Sequence, residues 1–225
     1  MTSFIRPVVA LAVATAITAG TAMAQVPDTA QLKQRDEQIL GKPGRLQAPK
    51  EITEEQRQLA LPPPGYGRPG ELPEHYLIML KTPELLKAYS AIGSYFLVHG
   101  KMAVRDRELL VLRVGWLLRA PYEWGEHVAI GKNRAGLTSE EIARVQIGSA
   151  AQGWSEHDHA LLKAVEELFD DAMISDGTWQ VLAKTMTDEQ LIELPVLIGQ
   201  YVGTAYVQNS WRIRLRQGNP GMTAK

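Results

Sequence analysis

From about Leu72 to Arg216, apolar residues recur at the three- and four-residue spacing of amphipathic helices, and no stretch alternates as a strand would. Thr82-Pro83-Glu84 supplies an N-cap, a proline in the first turn and an acid at the positive end, and predicts a helix to about His99, stopped by Gly100. A second helix is predicted from about Val104 to Leu118, carrying Leu109, Leu110, Leu112, Val114, Trp116 and Leu117. Pro121 begins a third, closed at Ala135-Gly136 by a glycine C-cap. Thr138 with Glu141 forms a capping box for a short helix to about Gln146. Further helices are predicted over 155–172 and 176–184. Thr187 and Gln190 then open a long last helix reaching about Arg214, with Pro195 in its first turns. The pattern predicts an all-α fold, a helical bundle.

The remainder of the chain is organised differently. Met1–Arg6 is a short basic start, followed by an apolar run from Pro7 to about Gly20 and a small-residue ending at Ala22 and Ala24. That is the layout of a signal peptide too short to span a bilayer comfortably, with cleavage expected after Ala24. Export to a periplasm or beyond follows, with no stable membrane insertion after cleavage. Residues 25–70 are polar and rich in turn formers, as in Gly41-Lys42-Pro43-Gly44 and Pro62-Pro63-Pro64-Gly65, with short helices near 29–40 and 53–59. They read as an N-terminal arm able to wrap a neighbouring subunit. The helical domain spans 71–217, and 218–225 reads as a tail.

Composition narrows the partners. The chain of 225 residues carries net charge −1, and losing the leader removes only Arg6. Its basic residues are scattered, which argues against nucleic acid as a partner. Cysteine is absent, so disulfides and thiol redox chemistry are both excluded. Neither a metal nor a cofactor motif is present, and a small molecule is the expected ligand.

The candidate chemistry lies where the third helix begins, at Tyr122-Glu123-Trp124-Gly125-Glu126-His127. Glu123 and His127 are four residues apart and share a helix face, an acid/base pair in outline. Glu108 sits on an otherwise apolar helix, where a carboxylate is costly unless partnered, and His127 on the next antiparallel helix is a suitable partner. Such a contact would orient the imidazole and raise its basicity. A structural reading of the same residues stays open. Glu123 can serve the helix dipole, Glu108 can pair with Arg105 or Arg113, and His127 can be an interior histidine. Tyr122 and Trp124 can wall a pocket for a ring substrate or belong to the core.

In sequence order, Arg105-Asp106-Arg107-Glu108-Leu109-Leu110, Arg113-Val114, Ala120-Pro121-Tyr122-Glu123-Trp124, His127 and Ala135-Gly136-Leu137-Thr138 resemble the carboxymuconolactone decarboxylase and alkyl hydroperoxidase D-like family. In redox members a C-x-x-C pair lies between a glutamate and a histidine. Here those positions carry Ala120 and Glu123, between Glu108 and His127. The resemblance implies the helical bundle, a homo-oligomer with sites near subunit contacts, and the glutamate and histidine of a proton relay, Glu108 and His127, without the family's peroxidase thiols. The activity it implies is cofactor-free acid/base catalysis on a small oxygenated or carboxylated molecule, in the decarboxylase or lyase direction. The alternative is a ligand-binding or assembly protein that kept the scaffold and lost the chemistry.

Three other groups are set aside. His157 and His159 flank Asp158 but point to different helix faces, which fits a solvated helix start better than a metal site. Glu126 falls off the shared face and is expected to be exposed. Tyr201, Tyr206 and Trp211 follow helical spacing and are expected in the core or a subunit interface rather than the site.

Overall fold

The computed structural model describes residues 27–67 and 70–225; the expected leader lies outside them. Ten α-helices and one short 3-10 helix make up the regular structure among the described residues. They are α1 Thr29–Ile39, α2 Glu54–Leu59, α3 Glu74–Met79, α4 Pro83–Val98, α5 Val104–Leu117, α6 Pro121–Arg134, α7 Ser139–Ile147, α8 Glu156–Asp171, α9 Asp176–Leu182 and α10 Asp188–Trp211, with the 3-10 turn at Gly221–Thr223.

Helix α5 is the axis of the bundle. It packs against α6, α7, α8 and α10, so every residue from Arg107 to Trp116 is buried. A helix enclosed on all sides must be apolar or internally paired, and α5 is both. Leu109, Leu110, Leu112 and Val114 meet Leu161, Leu162 and Val165 of α8 and Leu194, Leu197 and Ile198 of α10 in one core. Arg113 pairs with Glu166 at 2.8 Å and donates to the carbonyls of Val145 and Gln146. Arg119, at φ 49°, turns the chain tightly between α5 and α6. The pair packs closely at Gly115, where even a Cβ would only just touch the Trp124 backbone, at 3.5 Å from its nitrogen.

Several local expectations differ from the structure. Thr82 occupies the N-cap of α4, but its hydroxyl donates to the Met79 carbonyl at 3.3 Å and does not cap. Helix α10 ends at Trp211, because Arg212 takes a left-handed conformation at φ 59°. Helix α3 was not anticipated from the pattern.

The arm lies on its own chain. The Arg45 amide donates to the Trp211 carbonyl at 3.0 Å, and the Arg214 guanidinium holds the carbonyls of Leu40 and Lys42. Ala60, Ile52 and Leu59 pack with Met79, Leu80 and Leu86 in a second apolar cluster. The expected tail is also built in. Met222 and Ala224 enter the main core, the Trp124 indole donates to the Ala224 carbonyl at 3.1 Å, and Asn219 donates to the Tyr122 carbonyl at 3.0 Å. Trp124 reaches this carbonyl because its indole N–H needs a partner when buried. No described helix is long and apolar enough to cross a membrane.

Candidate active site

Helices α5 and α6 run antiparallel, and this brings Glu108, near the start of α5, level with His127 in the middle of α6. His127 Nδ1 lies 2.7 Å from Glu108 Oε2, and His127 Nε2 lies 3.2 Å from Glu123 Oε1. One imidazole therefore bridges two carboxylates. Each carboxylate is held at its other oxygen: Arg107 Nε approaches Glu108 Oε1 at 3.1 Å, and Gln208 Nε2 of α10 donates to Glu123 Oε2 at 2.7 Å. Glu108 pairs with Arg107 and His127, while Arg105 engages Glu141 and Asp158.

Burial and these partners set the charge states. Burial disfavours the His127 cation, but the field and hydrogen bonds of Glu108 and Glu123 outweigh it and hold the imidazole up to about 10. Burial likewise opposes Glu123 ionisation. Bonds from His127 and Gln208 win, and its carboxyl titrates below the usual range. At neutral pH His127 thus holds its proton beside an ionised Glu123, a proton donor at rest.

The unit borders a cavity of about 150 Å³. Glu123 and His127 lie on its wall, together with Tyr122, Tyr201 and Gln208 from the main bundle, His75 and Tyr76 from α3, Tyr89 from α4, and Pro62, Pro63 and Tyr66 from the arm. Tyr201 stands edge-on to the His127 ring, with centroids 5.1 Å apart and planes at 89°. Burial pushes its phenol well above the usual tyrosine range, so it stays protonated. His75 is the counterpart of His127: burial pulls it down to about 4, so it is neutral at ordinary pH.

The candidate residues are thus not all in one place. Glu108, Glu123 and His127 form one cluster, and Tyr122 lines the cavity. Trp124 does not: it is fully buried in the core, turned away by its bond to Ala224. Tyr201, expected away from the site, belongs to it. Glu126, expected to be exposed, is half-buried and bonded to Asn219 at 2.9 Å, with Arg216 at 3.5 Å. His159 is exposed, whereas His157 is half-buried: its ring bridges Thr185 and Asp106, and Asp158 pairs with Arg105. Among the described residues no group of His, Asp and Glu is arranged to hold a metal ion. Sequence reasoning missed His75, Gln208 and Arg216. Tyr201, Thr204 and Gln208 do share a polar face of α10, a signal overlooked among its apolar neighbours.

A buried carboxylate–histidine–carboxylate unit thus stands on the central helix pair of an all-helical bundle. Residues 83–167 match the model of the Carboxymuconolactone decarboxylase family, a span containing Glu108, Glu123 and His127. The helical domain has the fold of AhpD-like proteins. The fold is shared with a putative antioxidant defence protein AhpD from Agrobacterium tumefaciens, at TM-score 0.55 and 20% identity over 61% of this chain and 94% of that one. It is shared also with an uncharacterised peroxidase-related AhpD core from Ralstonia eutropha JMP134, at TM-score 0.58 and 16% identity over 85% and 90% of the two chains. A third likeness is the debrominase Bmp8, at TM-score 0.55 and 13% identity over 84% and 90%. No curated protein matches the chain.

Proposed function

We propose that the protein is an exported enzyme that uses general acid/base catalysis on a small oxygenated or carboxylated organic molecule, in the decarboxylase or lyase direction. The observation that carries this is the His127 imidazole bridging Glu108 and Glu123 at the wall of an aromatic-lined cavity. A purely structural ion pair has no need of a cavity beside it. In a decarboxylation the C–C bond breaks, its electron pair stays on the substrate as an enolate or carbanion, and CO₂ leaves. The proton that completes the product comes from His127 Nε2 directly or through Glu123, and solvent restores it. Glu108 acts through His127, keeping it oriented and cationic. Tyr201 holds the ring edge-on. Peroxide reduction by thiols is not available, because the chain has no cysteine.

Export is supported by the leader-like residues 1–24. A homo-oligomer is supported by an exposed apolar face formed by Ile92 and Tyr95 of α4 with Ile192 and Val196 of α10. The mass of periplasmic protein, expected to start at Gln25, and light scattering at micromolar concentration check these two points.

For catalysis, ligands retained by the purified protein identify substrates to assay. Glu123→Gln and His127→Gln should each keep the fold and slow turnover about 10²-fold or more. Their combined loss should fall well short of the product of the single losses, as for groups acting as one unit. Small, fully additive effects would mean the cluster is structural.

A further inference from the structure

Two residues that line the cavity each carry a buried side-chain atom with no hydrogen-bond partner among the described residues. Gln208 is 2% exposed, and its Nε2 donates to Glu123 Oε2. A carboxylate oxygen can only accept, so this bond fixes which way the amide faces and leaves Oε1 as a buried acceptor with nothing bonded to it. His75 is 7% exposed, and its Nδ1 is likewise buried and unbonded. Both residues line the same cavity. Native proteins seldom leave such atoms unsatisfied, since each costs free energy that a ligand group can recover.

The shape of the cavity narrows what that ligand is. Tyr76, Tyr89, Tyr122 and Tyr201 line it, and His75 sits edge-on to Tyr76 and Tyr122, with ring centroids 4.7 and 5.9 Å away. A volume of about 150 Å³ is that of a space holding one six-membered ring. The polar demand is specific as well. Gln208 Oε1 requires a donor and repels a bare carboxylate. A neutral imidazole offers one donor and one acceptor, so His75 requires a partner able to take either role. A hydroxyl donates once and accepts twice, so it has the capacity to serve a bare acceptor and either role of an imidazole nitrogen.

We propose that the cavity is a recognition site for a single hydroxylated ring of phenol type, its hydroxyl held between His75 and Gln208 and its ring enclosed by the tyrosines. This rests on the reading of the cavity as the substrate site. It makes His75 a specificity-determining residue, and it puts the hydroxyl end of the ligand at α3 and α10 while the rest faces the His127 unit. Burial keeps the His75 imidazole uncharged at ordinary pH, in line with holding a neutral hydroxyl rather than an anion.

The test compares phenol with toluene, a ring of the same shape with a methyl in place of the hydroxyl, by calorimetric or NMR titration of the full mature chain. The readout is the ratio of toluene to phenol dissociation constants. In His75→Phe, which keeps an aromatic ring and removes both nitrogens, that ratio should fall about tenfold or more while toluene binding stays within about threefold. His75→Gln, which returns a donor and an acceptor, should recover most of the ratio. Toluene binding reports that each variant is folded. If His75→Phe does not melt cooperatively, Gln208→Met takes its place with the same expectation. An unchanged ratio in the folded variant, or no phenol binding to the unsubstituted protein at millimolar concentration, overturns the proposal. Turnover assays fail separately. Phenol selectivity that depends on His75 without any turnover would leave this site standing and remove the catalytic reading. Turnover that depends on His127 without phenol selectivity would do the reverse.

Discussion

Glu108 and His127 are nineteen positions apart in the chain and 2.7 Å apart in space. The antiparallel turn at Arg119 makes that contact possible. Glu108 is fully buried, so the imidazole and the Arg107 guanidinium are what make its charge tolerable there.

Glu108→Gln should therefore act on stability first. It leaves Arg107 and His127 buried without their shared counter-charge, a change that costs about 3 kcal/mol. For a chain of this size a melting temperature lowered by about 6–12 °C is expected. Turnover should fall less than in Glu123→Gln, since the proton carrier remains. Calorimetry and activity on the same preparation separate the two effects.

Stability should decline on both sides of neutrality, each side owed to a different histidine. His127 is raised from 6.5 to about 10, so its contribution is complete below pH 6.5 and is lost as pH climbs toward 10. His75 is lowered from 6.5 to about 4, so the unfolded chain gains a proton first as pH drops, and stability is lost between 6.5 and about 4. Denaturant titrations across pH should show His127→Gln flattening the alkaline limb and His75→Phe the acid limb.

The C-terminal segment should behave as core. Removing residues 218–225 strips Met222 and Ala224 from the main cluster and the indole of Trp124 of its acceptor. A loss of at least about 3 kcal/mol is expected. Gly125→Ala is a finer test, because an added Cβ would lie 1.7 Å from Asn219 Oδ1. Displacing Asn219 should cost about 1–3 kcal/mol, read as a lower melting temperature.

Most of the bundle was legible because long helices carry their own punctuation. The capping boxes at Thr138 and Thr187 formed as expected. The Glu108–Glu123–His127 cluster could be anticipated because an acid on an apolar helix and an i, i+4 pair on the next are local patterns. What could not be read was local structure too short for periodicity. Helix α3 has six residues, and it brings His75 and Tyr76 to the cavity. The terminal residues read as a tail and Trp124 stayed open between pocket and core for a related reason: which face of α6 is covered depends on a chain end a hundred residues later.

The arm should support the cavity rather than act as a tether. Pro62, Pro63 and Tyr66 line it, and Tyr66 accepts a hydrogen bond from Arg107 at 3.2 Å. Deleting residues 27–67 should weaken ligand binding and lower the melting temperature. Unchanged values for both would show that the arm only tethers.

The most direct test is the charge of His127 itself. Nitrogen-15 spectra of the histidine rings, assigned through His127→Gln, follow both ring nitrogens as pH is raised. The account predicts that His127 carries protons on Nδ1 and Nε2 through neutral pH and releases one only as pH nears about 10. A His127 that is neutral at pH 7 and titrates near 6.5 would contradict it, because the two carboxylates would then not be holding an imidazolium at the cavity wall.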